Sequence, residues 1–177
     1  MERAEALQKL RNELGRPEFE RRYPHLWLIR ELDEADPASG GFNTVNWDSK
    51  KTLHLGQRFD PAAPLMSTRL RQEPGRFALY PVVKSGANPW SDRVMLGRAA
   101  NNDIVFRHES VSKVHAYFQR GSEGSWQIYD AKSVNGTRVN GQSLPPSEGL
   151  AVESGAVLVF GTAVCELISS GELFEAL

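Results

Sequence analysis

The chain has 177 residues, enough for one domain with its own core and some residues to spare. Hydrophobic residues make up 40% and charged residues 24%, the balance of a globular protein and not of a disordered or fibrous one. A formal net charge of -1 gives no basic stripe for a nucleic-acid backbone, so any anion site must be local.

Taken in chain order, Glu2 to Leu14 places Leu7, Leu10 and Leu14 at helical steps, and Gly15 with Pro17 ends the pattern. Charged residues interrupt Met1 to Leu10, so no signal-peptide core is expected there. Pro17 to Tyr23 reads as a further helical turn or two, with proline tolerated at the start. His25 to Leu32 is apolar enough to pack but fits strand and helix alike. From Asp33 to Pro74 the punctuation of Asp36-Pro37, Gly40-Gly41, Asp60-Pro61 and Pro64 predicts an extended arm, strand-like only at Lys51 to Leu55.

The character changes at Phe77. Short β-rich runs follow at Phe77 to Lys84, Arg93 to Leu96, Ile104 to Phe106, His115 to Arg120, Trp126 to Asp130, Thr137 to Val139, Gln142 to Leu144, Val157 to Phe160 and Ala163 to Ile168. Many short strands between turn signals predict a mainly β fold, an antiparallel sandwich or barrel. Asn140-Gly141 is the preference of a two-residue hairpin, and Asn135-Gly136 marks a second sharp turn. Phe118 and Trp126 read as core, and Trp90 as a loop residue that is either a packing lid or a contact. Cys165, the one cysteine, also reads as core. It excludes an internal disulfide and fits a reducing, cytoplasmic setting. The longest apolar run, Ala156 to Phe160, is far short of the roughly twenty residues that span a bilayer, so no membrane role is expected. The division expected is an extension at 1–75, a β-sandwich at 76–170 and a tail at 171–177.

Polar residues gather in three gaps between strands: Gly97-Arg98; Ser110, Ser112 and Lys113; and Ser133 to Thr137. A guanidinium fork, hydroxyls, an ammonium, an amide and glycine-rich backbone together suit a phosphate. Metal chemistry would need clustered carboxylates, thiols or histidines, and His25, His54, His108 and His115 have no ligand-like spacing. No metal or other cofactor is expected. Ser112 and His115 could suggest a nucleophile and base, but there is no G-x-S-x-G elbow and no evident acid to orient His115, so no catalytic residue and no enzyme is expected.

The set Gly97-Arg98, Asn102-Asp103-Ile104, Ser112-x-x-His115, Asn135-Gly136-Thr137 and Asn140-Gly141 resembles the forkhead-associated (FHA) domain signature in order and spacing, over about half the chain. The resemblance implies an eleven-stranded β-sandwich whose loops at one end bind phosphothreonine in a partner protein or peptide, the product of a Ser/Thr kinase. By that resemblance Arg98 and Ser112 bind the phosphate, Lys113 adds charge or a backbone N–H, and Asn135 bonds the peptide main chain. Ser110 and Val134 fall where the family tunes phosphate contacts and the third residue after the phosphothreonine, while Gly97, His115, Gly136 and Thr137 hold the loops. Val134 replaces what is often a hydroxyl or basic side chain, and Ser110 a residue that is often basic. The alternative reading is a phosphorylation-independent scaffold working through another face or the arm, and Thr44, Thr52 and Thr68 in that arm are candidates for self-recognition.

Overall fold

The computed structural model describes residues 2–32, 65–121 and 124–177. The strand-like stretch at Lys51 to Leu55 and the arm threonines Thr44 and Thr52 lie outside the described residues. Among the described residues, twelve strands form two sheets, mostly antiparallel. The seven-stranded sheet runs β1 (Glu2–Arg3), β3 (Phe77–Pro81), β2 (Trp27–Glu31), β12 (Ala163–Ile168), β11 (Val157–Phe160), β8 (Thr137–Val139), β9 (Gln142–Leu144). The five-stranded sheet runs β10 (Gly149–Val152), β7 (Trp126–Asp130), β6 (Ala116–Arg120), β4 (Arg93–Gly97), β5 (Ile104–Val105), with β4 and β5 parallel. Asn140 and Gly141 close the β8–β9 hairpin at φ of 50° and 83°, as the Asn-Gly pair requires.

Alternate residues of facing strands meet between the sheets. Leu28, Tyr80, Leu96, Phe118, Ile128 and Phe160 are among the buried residues of this inner core, with Trp126 packed at its margin. The other face of the seven-stranded sheet is covered as well. Trp27 and Ile29 of β2, Phe77 and Leu79 of β3 and Ile168 of β12 pack under Leu7 of α1 (Ala4–Glu13), Phe19 of α2 (Arg16–Arg22), Leu70 of α3 (Met66–Leu70) and Leu173 of α4 (Ser170–Ala176). Burial on both faces explains why His25 to Leu32 shows no decisive period: every position from Trp27 to Arg30 is buried, so the apolar run does not alternate.

This second layer corrects the expected division. β2 lies inside the sheet, paired with β12 on one side and β3 on the other, so the first 75 residues supply a central strand as well as an extension. The expected tail is a capped helix: Ser169 and Glu172 form a reciprocal capping box at the start of α4. Part of the expected arm is also ordered against the sheet. The buried Glu166 carboxylate of β12 accepts hydrogen bonds from Ser67 N–H at 2.8 Å and Ser67 Oγ at 2.6 Å, pinning the first turn of α3.

Candidate functional site

β4 and β7 end, and the antiparallel β6 begins, at the same side of their sheet, and three loops rise from it: 98–103, 106–115 and 131–136. Gly97 closes β4 where the chain passes so near the second loop that a Cβ would lie 2.4 Å from the Lys113 carbonyl oxygen, which only glycine avoids. The contact is fastened by Arg98 N–H to Ser112 O at 2.9 Å and Ala99 N–H to Lys113 O at 3.1 Å. Asn102, buried, donates its side-chain amide to Ala99 O and Lys113 O at 2.7 Å each.

His115 joins the second loop to the third. Its Nδ1 accepts from Ser112 N–H at 3.0 Å, which leaves the proton on Nε2 to be donated to Gly136 O at 3.1 Å. The ring is fully buried and burial holds its pKa below the usual histidine value, although the Gly136 carbonyl and Asp130 pull the other way. The third loop is tied from beneath by Asp130, whose buried carboxylate accepts from Ser133 N–H at 2.9 Å, Ser133 Oγ at 2.7 Å and Thr137 Oγ1 at 2.7 Å. Burial penalises that charge, but the hydrogen bonds from Thr137 and Ser133 and the neighbouring His115 outweigh it, and the pKa falls below the ordinary carboxylate value. Gly136 sits at φ 76° and donates to Ser133 Oγ at 3.0 Å.

On this frame the loops bring Arg98, Ser112, Lys113, Val134 and Asn135 to one surface. Arg98 is exposed, its Nε donating to Val111 O at 3.2 Å, and no carboxylate among the described residues pairs with its guanidinium. Ser112 Oγ accepts Val134 N–H at 3.0 Å, so the hydroxyl proton is left to donate. Asn135 donates Nδ2 to Ser110 O at 2.8 Å and keeps its carbonyl oxygen and second N–H for another partner. Lys113 is exposed, and the Val134 side chain is 88% exposed.

Ser110 is placed differently from the rest. Its side chain is buried and its hydroxyl meets His108 Nδ1 at 2.8 Å and Thr162 N–H at 2.9 Å, so it fixes the second loop to the β11–β12 turn and presents no group to the surface. Sequence reasoning placed Ser133 in the third polar gap but passed over Asp130 beneath it; the Asp-x-x-Ser spacing just before a turn was the available signal. It also quoted Asp103 without a role. Asp103 accepts from Lys84, Ser85, Asn88 and Met95 N–H and so moors the β3–β4 loop. Burial opposes its charge, but bonds from Asn88, Lys84, Met95 and Ser85 bring its pKa down to about 2.

The family profile described as the FHA domain matches residues 94–161, the stretch that holds all three loops, and these residues are a forkhead-associated domain. Among curated proteins, the E3 ubiquitin-protein ligase DMA2 of Saccharomyces cerevisiae is 39% identical over 51 residues, 29% of this chain and 10% of the yeast protein. The uncharacterized protein ZK632.2 of Caenorhabditis elegans is 29% identical over 75 residues, 38% of this chain and 11% of that one. The matches thus span about a tenth of these relatives. Among solved structures, the FHA domain of CT664 from Chlamydia trachomatis is 26% identical at a TM-score of 0.42, covering 51% of this chain and 84% of that one. The N-terminal FHA domain of S. cerevisiae RAD53P, solved with a phosphothreonine peptide, is 17% identical at a TM-score of 0.45, covering 56% and 90%.

Among the described residues no three histidines, cysteines or carboxylates group as a metal site, and no helix is long and apolar enough to cross a membrane.

Proposed function

We propose that this protein binds threonine-phosphorylated partner proteins downstream of Ser/Thr kinases in the cytoplasm, through the loop surface around Arg98. FHA domains are binding modules that generally take phosphothreonine peptides. The observation that carries the reading is an exposed guanidinium without a carboxylate partner among the described residues, tied through its own backbone to a serine whose hydroxyl proton is left to donate. Arg98 and Ser112 then hold the phosphate, Lys113 adds charge, and Asn135 bonds the peptide main chain beside it. Val134 gives only its backbone N–H, already taken by Ser112, so its exposed side chain offers the peptide an apolar contact and no phosphate bond.

Charge-assisted hydrogen bonds contribute about 1.5–3 kcal/mol each, so Arg98→Ala weakens phosphopeptide binding roughly a hundredfold or more while leaving the fold intact. Calorimetry on a peptide selected from a phosphothreonine library, against its unphosphorylated twin, is the measurement. Equal affinity for the two forms would end this reading.

A further inference from the structure

Of the four strands that end the two sheets, β1 and β5 have two residues each and β9 has three, whereas β10 has four. Its sequence, Gly149-Leu150-Ala151-Val152, is uncharged and carries no polar side chain, and Gly149, Leu150 and Ala151 are exposed. Among the described residues β10 pairs only with β7, and none of them takes up the backbone groups on its other edge, which suit a further strand. Both faces of that edge also wait for a neighbour. On the core side Leu150 lies opposite the fully buried Ile128 yet is 36% exposed, because no strand among the described residues stands beyond it. On the outer side the Tyr129 ring lies against Gly149, where a Cβ would be 2.4 Å from it, and Tyr129 stacks on Tyr117 with ring centroids 4.8 Å apart. This stack brings an aromatic surface to the brink of the edge.

Glu148 and Glu153 flank the strand, both exposed and neither ion-paired among the described residues. A second copy pairing antiparallel about the middle of β10 would set Glu148 against the other copy's Glu153 at both ends, a like-charge arrangement. We propose that the β10 edge takes an extended segment of a partner protein as a sixth strand of its sheet, apolar at its centre and basic at both ends. Main-chain bonds along β10 supply affinity, Leu150 takes an apolar side chain on one face, Tyr129 receives one on the other, and the glutamates set the charge. The site stands apart from the phosphate surface and does not depend on it.

The test uses the whole 15N-labelled protein and three synthetic peptides: Lys-Thr-Val-Thr-Val-Thr-Lys, the same core flanked by glutamates, and the lysine form with proline at its centre. The lysine peptide is expected to shift and slow exchange of amides in β10 and β7. The glutamate form should bind roughly fivefold to tenfold more weakly at low salt, a gap that closes at high salt. Leu150→Lys abolishes the effect, Arg98→Ala leaves it unchanged, and Glu148→Lys with Glu153→Lys inverts the charge preference without touching the strand. The proposal is overturned by no β10 response at millimolar peptide, by equal binding of the proline form, or by concentration-dependent protection of β10 in the protein alone, which would make a second copy the occupant.

Discussion

At the loop end of the sandwich, position is set by polar groups underneath: Asp130, His115 and Asn102 are buried, and between them they take or give hydrogen bonds to Ser133, Thr137, Ser112, Gly136, Ala99 and Lys113. On the flank of the seven-stranded sheet, Phe19, Leu7, Leu70 and Leu173 hold the helices by packing, supplemented by the polar ties Ser67–Glu166, Arg69–Glu31 and Trp27–Ser170. The difference is one of division of labour. The flank is expected to govern stability, the loop end to govern binding, and substitutions that mix the two show where the division fails.

The largest effect is expected from Phe19→Ala. The ring is fully buried and lies 5.0 Å from Tyr23 and 5.5 Å from Phe174. Its removal should cost about 3–5 kcal/mol in chemical denaturation. Phosphopeptide affinity of the molecules still folded should be unchanged; a parallel loss of affinity would mean that the helical layer shapes the loops.

Asp130→Ala breaks the division from the other side. It strips the acceptor from Ser133 N–H, Ser133 Oγ and Thr137 Oγ1 beneath the third loop, and each buried donor left unmet costs about 1–3 kcal/mol. Stability and phosphopeptide affinity should therefore fall together, with urea melts and calorimetry as the two readings. Asn135→Ala is milder: one main-chain contact worth about 1 kcal/mol goes, so affinity drops roughly fivefold while the melt hardly moves.

The two regions were also unequally legible in the sequence. Loop residues at this end are glycines, polar side chains and turn formers in fixed order, and each does a local job that leaves a local mark, as Gly136 shows at its positive φ. The mainly β fold followed from strand spacing, though β10 was missed because four small and apolar residues between Glu148 and Glu153 neither alternate nor carry turn chemistry. α1 and α2 were legible in their helical steps, whereas β2 was hidden for a different reason. A strand buried on both faces loses the two-residue period, and its partners, β12 and β3, come from distant parts of the chain, so only tertiary packing defines it. Ser110 was misplaced because its type and position said nothing about direction: the same serine can face a ligand or, as here, turn inward to Thr162.

The smallest expected effect separates the regions by one histidine each. His115 in the loops and His25 beside Trp27 on the flank are both held below the usual value of about 6.5 by burial. For a histidine lowered in the folded state, the unfolded chain binds the proton first. The stabilising contribution is therefore complete above about pH 6.5 and is lost as pH falls through the folded value, before the carboxylate of Asp130 titrates in its own, lower window. Melts of the free protein between pH 7.5 and 5 should show this decline, and His115→Gln and His25→Gln should each remove a part of it. Only the loop histidine should carry the pH signal into recognition, because a proton on Nδ1 of His115 costs the acceptor for Ser112 N–H, whereas the His25 ring lies against Tyr23 and Trp27 on the flank. With a sulfate-bearing peptide in place of phosphate, so that the ligand's own titration near pH 6 drops out, affinity should fall with pH in wild type and in His25→Gln but stay flat in His115→Gln. Equal slopes in all three would place the proton-sensitive step outside the His115 bridge.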